Sequence, residues 1–291
     1  MAINPEKFRI VPGKKVHLSK RPTAIKPLCA SREEYRDRME AQLQAMRPQQ
    51  ELLYANDSHA LLVIFQAMDA AGKDGAIKHV LSGLNPQGCE VHSFEHPSNL
   101  ELDHDFLWRS VQLLPERGRV GIFNRSYYEE VLIVRVEPEI LQSQRLPGVT
   151  GPSKKLWQGR YRSILDHEAH LHRNGTRIVK FFLHLSREEQ RKRLLRRIDD
   201  PAKNWKFKSA DLEARAQWDA YEKAYAECLS ATSTGHAPWY AIPADRKEDA
   251  RLLISQVILN AFHELKLKPP VIDSTQLKAL RTARRKLVAK D

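Results

Sequence analysis

The chain has 291 residues, with 48 lysines and arginines against 36 aspartates and glutamates, a net charge of +12. That length suits one α/β domain with an appended subdomain or tail, and the charge surplus points to an anionic partner, whether nucleic acid, membrane surface or polyanionic substrate. Cys29, Cys89 and Cys228 are too few and too scattered for a disulfide framework or a zinc site. No apolar run approaches the roughly 20 residues of a membrane span, and the opening MAINPEKFRI lacks the apolar core of a signal peptide. A soluble protein of the reducing cytoplasm is expected.

Residues 1–30 are rich in Lys, Arg and Pro with little periodicity, and read as a basic arm that wraps the domain. From Ser31 to about Tyr54 a helix is expected, with Ser31 as N-cap and Glu34 at the capping-box position. Met39, Leu43 and Met46 fall on its core-facing side. Leu61–Phe65 is a continuous apolar run of the kind a fully buried parallel strand shows, and Gly72-Lys73 follows it directly before helix-favouring sequence. Strand, glycine turn and helix start in that order match a phosphate-binding loop. Backbone N–H groups and the positive end of the helix converge on a phosphate, and Lys73 supplies a point charge. The pattern G-x-x-x-x-G-K-[ST] is broken twice, by Ala67 and by Asp74. Asp69 and Asp74 place two carboxylates beside the expected phosphates, which is repulsive unless a divalent cation lies between them. Mg²⁺ is therefore expected, with Mn²⁺ as the alternative ion.

The loop helix is expected to run to about Leu84, where Asn85-Pro86-Gln87-Gly88 ends it before a second strand near Cys89–Phe94. Leu102–Leu114 reads as an amphipathic helix stopped by Pro115, and Arg119–Phe123 as a short buried strand. Phe123-Asn124-Arg125-Ser126-Tyr127-Tyr128-Glu129-Glu130 follows at once. Ligands in open parallel sheets bind beyond the carboxyl ends of strands, so Asn124 and Arg125 are expected to face the phosphate loop. Lys154–Arg173 reads as a long polar helix and Arg177–Leu185 as a central strand. His167, Glu168, His170 and His172 have spacings that can share a face, which suits a metal site or a solvated helix face.

Arg187–Lys208 is the most basic segment, broken at Asp199-Asp200-Pro201. Two helices joined by a proline turn would form a cationic flap, and its place after a strand of such a sheet favours a closing lid over a merely solvated face. Ser209–Ser230 reads as a helix and Trp239–Ile242 as the last strand. The Pro243–Lys247 loop is either a plain turn or a wall of a nucleotide pocket. Leu252–Leu265 closes the domain, expected to span 31–268, and a basic tail over 269–291 follows a proline break.

The loop MDAAGKDG, the strand end FNRSYYEEV and the flap RRIDDPAKNWKF occur in an order and spacing that resemble the polyphosphate kinase type 2 family over nearly the whole chain. The resemblance implies an α/β P-loop kinase fold similar to thymidylate kinase, a parallel sheet flanked by helices with a helical lid at about 187–210. It also implies Mg²⁺-dependent transfer of a phosphoryl group between inorganic polyphosphate and purine nucleotides. It sets Asp69, Lys73, Asp74 and Arg125 as catalytic, with Asp69 and Asp74 also holding the metal. Gly72, Gly75, Asn124, Arg125 and Glu129 are set beside the nucleotide, and Lys78, Arg193, Arg196, Arg197, Lys203 and Lys206 along polyphosphate or in the lid. Ala67 departs from the glycine often found in the family. The FNRSYYEEV segment resembles members that act on both nucleoside mono- and diphosphates, those favouring diphosphates tending to carry asparagine where Glu129 stands. A homo-oligomer is expected, with neither membrane nor nucleic acid as partner. An ATP-dependent kinase of the same fold and a nucleic-acid-binding P-loop protein are the rival readings.

Overall fold

The computed structural model describes residues 3–289. Helix α1 (Arg32–Asn56) begins at Ser31, whose hydroxyl accepts the Glu34 N–H at 3.0 Å, while the Glu34 carboxylate accepts from the Ala30 N–H at 2.7 Å. Strand β1 (Ala60–Ala67) is buried along its length and leads into α2 (Lys73–Leu81) and β2 (Cys89–Ser93). The helix expected over Leu102–Leu114 is instead two short pieces, α3 (Asn99–Leu102) and α4 (Trp108–Val111). Between them the Asp105 carboxylate accepts the Leu107 N–H at 2.9 Å, a local turn that competes with helix propagation. Then come β3 (Val120–Asn124), the short helices α5 (Ile133–Val136) and α6 (Pro138–Ser143), the long α7 (Lys154–Arg173) and β4 (Thr176–His184).

The flap is α8 (Arg187–Asp199) followed by a 3₁₀ turn, Pro201–Lys206, where a second helix was expected. Asp200 caps that turn through the Ala202 N–H, and the Asn204 amide donates to the carbonyls of Arg197 and Ile198. The helix expected over Ser209–Ser230 is broken at Gln217 into α9 (Ala210–Ala216) and α10 (Trp218–Thr232). Strand β5 (Trp239–Pro243) and α11 (Lys247–Glu264) complete the layered body, and α12 (Ser274–Val288) follows as an exposed helix. Among the described residues, no helix is long and apolar enough to cross a membrane.

The five strands among the described residues run parallel in the order β2-β3-β1-β4-β5. β1 is the centre, and β4, read as central, lies beside it with a partner on each edge. Helices α1, α2 and α11 cover one face against Leu61, Val63 and Phe65; α7, α10 and the segment after β3 cover the other against Leu62 and Ile64. Burial on both faces explains why β1 reads as an unbroken apolar run. From β1 the chain turns to one side for β2 and β3 and to the other for β4 and β5. The crevice at the carboxyl end of β1 is therefore the switch point where such sheets bind ligands. The N-terminal arm buries Phe8, Ile10, Val16 and Leu18, and the Ile10 N–H donates to the Trp239 carbonyl at 2.8 Å beside an antiparallel bridge, Arg9 to Tyr240. The arm so covers the edge of β5.

Candidate active site

The loop after β1 bends through Ala70 (φ 61°) and Gly72 (φ 96°) into α2. Gly72 occupies a left-handed conformation that a side chain strains. Ala67, standing where the motif has its first glycine, is the last residue of β1 and pairs with Leu183, an extended position that alanine takes freely. Gly75 lies in the first turn of α2, where a Cβ would come within 3.4 Å of the Arg251 guanidinium.

Arg193, expected among the lid cations, is buried and turned inward. Its five N–H groups donate to the carbonyls of Ala70, Ala71, Ala244 and Asp245 and to the Glu189 carboxylate, at 2.7–3.3 Å. Every donor of the guanidinium is thereby used, so Arg193 clamps the loop to the turn after β5 instead of facing solvent. That turn, Pro243–Lys247, braces the phosphate loop and contributes no wall to the cleft described below. On the other side, the Gln190 amide donates to the Asp69 carbonyl at 3.1 Å.

The charged residues of the loop meet those at the end of β3. Arg125 stands 3.5 Å from Asp69, and the Asn124 amide donates to Asp74 at 2.9 Å and to Ser93 at 3.3 Å. Arg125 itself is left-handed (φ 64°), held by a 2.9 Å hydrogen bond from its N–H to the Phe65 carbonyl; that conformation costs a non-glycine residue about 1–2 kcal/mol. Lys73 donates to the Ala67 carbonyl at 3.2 Å. Burial, and then the Arg125 charge, lower its pKa against the pull of Asp69, Glu129 and Asp74. Asp69, Lys73, Asp74, Asn124, Arg125 and Glu129 therefore form one cluster.

Beside the cluster opens a narrow cleft, walled by Asp69, Arg125 and Glu129 and by Leu132, Ile133, Trp218, Tyr221 and Tyr225. The three aromatic residues were not among those singled out from the sequence as a site. They recur at i, i+3 and i+7 of α10, a spacing that also describes a helix face packed on a core, and only their place at the end of the sheet tells the two apart.

In the flap, Arg197 pairs with Asp211 at 3.0 Å, Lys203 pairs with Asp200, and the Lys206 ammonium lies 4.8 Å from the centre of the Trp205 ring. Arg196 and, on α2, Lys78 are exposed and have no protein partner among the described residues. Lys247, the last residue of the loop read as a plain turn or a pocket wall, and half-buried Arg251 of α11, which sequence reading passed over, lie near them. Burial and then the charges of Arg193, Arg196 and Arg251 push the Lys247 pKa down, a crowding of like charge that a polyanion relieves.

Residues 29–269 match the family model for polyphosphate kinase 2. The chain belongs to this family. It is 57% identical over 288 residues to the ADP-polyphosphate phosphotransferase of Rhodopseudomonas palustris, covering 99% of this chain and 100% of the relative. The AMP/ADP-polyphosphate phosphotransferase of Meiothermus ruber is 46% identical over 221 residues, covering 76% of this chain and 78% of the relative. The crystal structure of polyphosphate kinase 2 from Arthrobacter aurescens TC1 superimposes with a TM-score of 0.85 at 36% identity, covering 97% and 98% of the two chains.

For this polyphosphate kinase 2 chain, the donor set at the loop fits a hard divalent cation. Mg²⁺ keeps several waters and is held by one or two carboxylates together with substrate phosphates. Asp69 and Asp74 supply two carboxylates, and the Asn124 side-chain oxygen beside Asp74 is buried with no partner among the described residues. The histidine-rich end of α7 forms no such set. Glu168 is fully buried against Lys180, His167 meets the Tyr127 ring edge-on, and His172 stacks on His236.

Proposed function

We propose that this chain transfers a phosphoryl group between inorganic polyphosphate and purine nucleoside mono- and diphosphates, AMP and ADP or their guanine counterparts, with Mg²⁺ bound by Asp69 and Asp74. The observation that carries this reading is the convergence of Lys73, Arg125 and the two aspartates at the mouth of an aromatic-walled cleft. Trp218, Tyr221 and Tyr225 offer ring surface to a base. Arg125, aimed at the loop from the end of β3, draws the nucleotide's terminal phosphate towards Lys73 and the loop N–H groups. The cation supplies neutralisation of the charge shared by donor and acceptor oxygens. Lys78, Arg196, Lys247 and Arg251 present cations to the chain of the donor. The lid, hinged on the clamped Arg193, closes to exclude water, bringing Arg196, Arg197, Lys203 and Lys206 over the site. The acceptor is a phosphate oxygen already anionic at neutral pH. The work of the protein is thus positioning and charge dispersal, and no strong base is required.

Both acceptors are proposed because the two relatives carry names that specify ADP in one case and AMP/ADP in the other, and because Glu129 lines the cleft beside Arg125. A monophosphate brings less negative charge towards that carboxylate than a diphosphate does. Cys29 and Cys228 are buried free thiols, which suits a reducing cytoplasm. The test is a coupled assay with polyphosphate as sole donor and AMP, ADP, GMP and GDP as acceptors. Transfer from polyphosphate to the adenine pair is the expected result, and transfer from ATP alone would favour the rival ATP-dependent kinase.

A further inference from the structure

Beneath the acceptor cleft lies an ion pair that the proposed chemistry does not use. Lys180 of β4 and Glu168 of α7 are both fully buried, 2.6 Å apart. The Lys180 ammonium spends its three protons on the Glu168 carboxylate, the Tyr128 hydroxyl at 2.8 Å and the Thr232 carbonyl at 2.8 Å. The other Glu168 oxygen accepts from the hydroxyls of Tyr127 at 2.9 Å and Tyr128 at 2.7 Å. The Trp239 indole N–H reaches the Thr232 hydroxyl at 2.9 Å and the Trp239 ring stands edge-on to that of Tyr128.

Such a pair is a poor device for stability alone. Desolvating two charges is expensive, and well-packed apolar residues in their place are often as stable or more so. A fully satisfied buried network does have one distinct physical consequence: it admits a single arrangement of the groups it joins. The groups joined here are informative. Tyr127 and Tyr128 open the 3₁₀ turn Tyr127–Val131 immediately after Asn124, left-handed Arg125 and Ser126. Tyr128 points down into the network, while the next residue, Glu129, lines the cleft. Thr232 ends α10, the helix whose other turns carry Trp218, Tyr221 and Tyr225. The floor and the aromatic wall of the cleft are thus tied to the same two charges. Above the network, the Ser126 hydroxyl accepts from the Tyr128 N–H at 3.2 Å and the Gln66 amide at 3.3 Å, fastening the turn to the centre of the sheet.

We propose that Glu168 and Lys180 are positioning residues that, through Tyr127 and Tyr128, fix Arg125 and Glu129 relative to the aromatic wall and so set the preference between nucleoside mono- and diphosphate acceptors. This rests on the phosphotransfer reading above, and it adds to that reading a determinant of acceptor choice that touches no substrate. Loosening the network displaces the turn while leaving the phosphate loop, the Arg193 clamp and the donor-facing cations in place. Its effect falls on the nucleotide and spares polyphosphate.

The experiment compares the parent with Tyr127→Phe/Tyr128→Phe, which removes two hydroxyls at almost constant volume, and with Glu168→Gln/Lys180→Met, which removes both charges. Thermal melting and KM and kcat for AMP, ADP and polyphosphate are measured for each. In folded variants the expected result is a rise in nucleotide KM and a shift of at least about tenfold in the AMP-to-ADP ratio of kcat/KM, below the roughly hundredfold that a 1 Å misplacement costs. The polyphosphate KM is expected to stay at the parent value. A ratio unchanged in folded variants, or losses equal for all three substrates, overturns the proposal. If the charge-deleted protein does not fold, the tyrosine variant decides, together with each single Tyr→Phe change. A parent unable to use polyphosphate retires the functional reading instead, so the two failures are distinguishable.

Discussion

The Lys73 ammonium sits between a carbonyl at 3.2 Å and a ring of charges, and burial lowers its pKa below that of a free lysine. A lysine with a lowered folded pKa is disfavoured as a cation by the fold. Its penalty to stability is present below the folded pKa and is relieved as pH rises through it. Lys73→Ala is therefore expected to melt no lower than the parent while losing turnover by about a hundredfold or more; comparable turnover would remove the lysine from the chemistry. The phosphoryl site needs the cation, so kcat/KM, which reports the free enzyme, is expected to fall as pH rises through a value below the roughly 10.4 of unperturbed lysine. Lys73→Arg abolishes that descending limb if the assignment is right. At Glu129, a unit charge pair about 6 Å apart is worth roughly 3 kcal/mol at an effective dielectric near 20 before screening. Glu129→Asn is therefore expected to lower the AMP-to-ADP ratio of catalytic efficiencies, read by parallel kinetics with the two acceptors. The positions of Gly72, Lys73, Asn124 and Arg125 were legible in the sequence because each stands at the end of an apolar strand or in the loop that follows it, where chain order fixes position. Arg193 was not. Nothing in a run of arginines shows which guanidinium turns inward onto four carbonyls.

At the scale of elements, the flap after β4 separates into cations that hold it together and, among the described residues, cations left free. Arg193 satisfies buried carbonyls on two loops, and Arg193→Met leaves them unpaired. A loss of stability on the order of 3 kcal/mol is expected, read as a clear fall in Tm, with activity falling because the loop loses its shape. Arg196 has no partner among the described residues, so Arg196→Gln is expected to keep the parent Tm and lower kcat, in keeping with contacts that form when the lid closes. Reversed outcomes for the two variants would interchange these roles. Strands β1, β3, β4 and β5 were legible to within a residue or two because burial on both faces writes largely apolar runs, whereas the exposed edge strand β2 was read from the Asn85–Gly88 turn before it. The breaks were less so. Asp105 and Gln217 interrupt helices that the apolar spacing alone carries through, and the 3₁₀ turn after Pro201 depends on the side chains of Asp200 and Asn204, whose hydrogen bonds no periodicity records.

Across the whole molecule, the parallel order β2-β3-β1-β4-β5 brings the loop after β1 and the end of β3 to one rim, with the lid following β4 at that same rim. The surplus of +12 has its local expression there in Lys78, Arg196, Lys247 and Arg251. Attraction through exposed charge is screened within about 8 Å at physiological ionic strength. The efficiency with polyphosphate is accordingly expected to fall as salt is raised, and an efficiency indifferent to salt would count against the cationic path. The most direct measurement is nucleotide formation with polyphosphate as the sole phosphoryl donor, Mg²⁺ present and ATP absent, followed separately from ADP and from AMP. The predicted result is ATP from ADP, and ADP then ATP from AMP, each slowed about a hundredfold or more in Lys73→Ala. No product from either nucleotide, with transfer restored when ATP is the donor, would contradict the account.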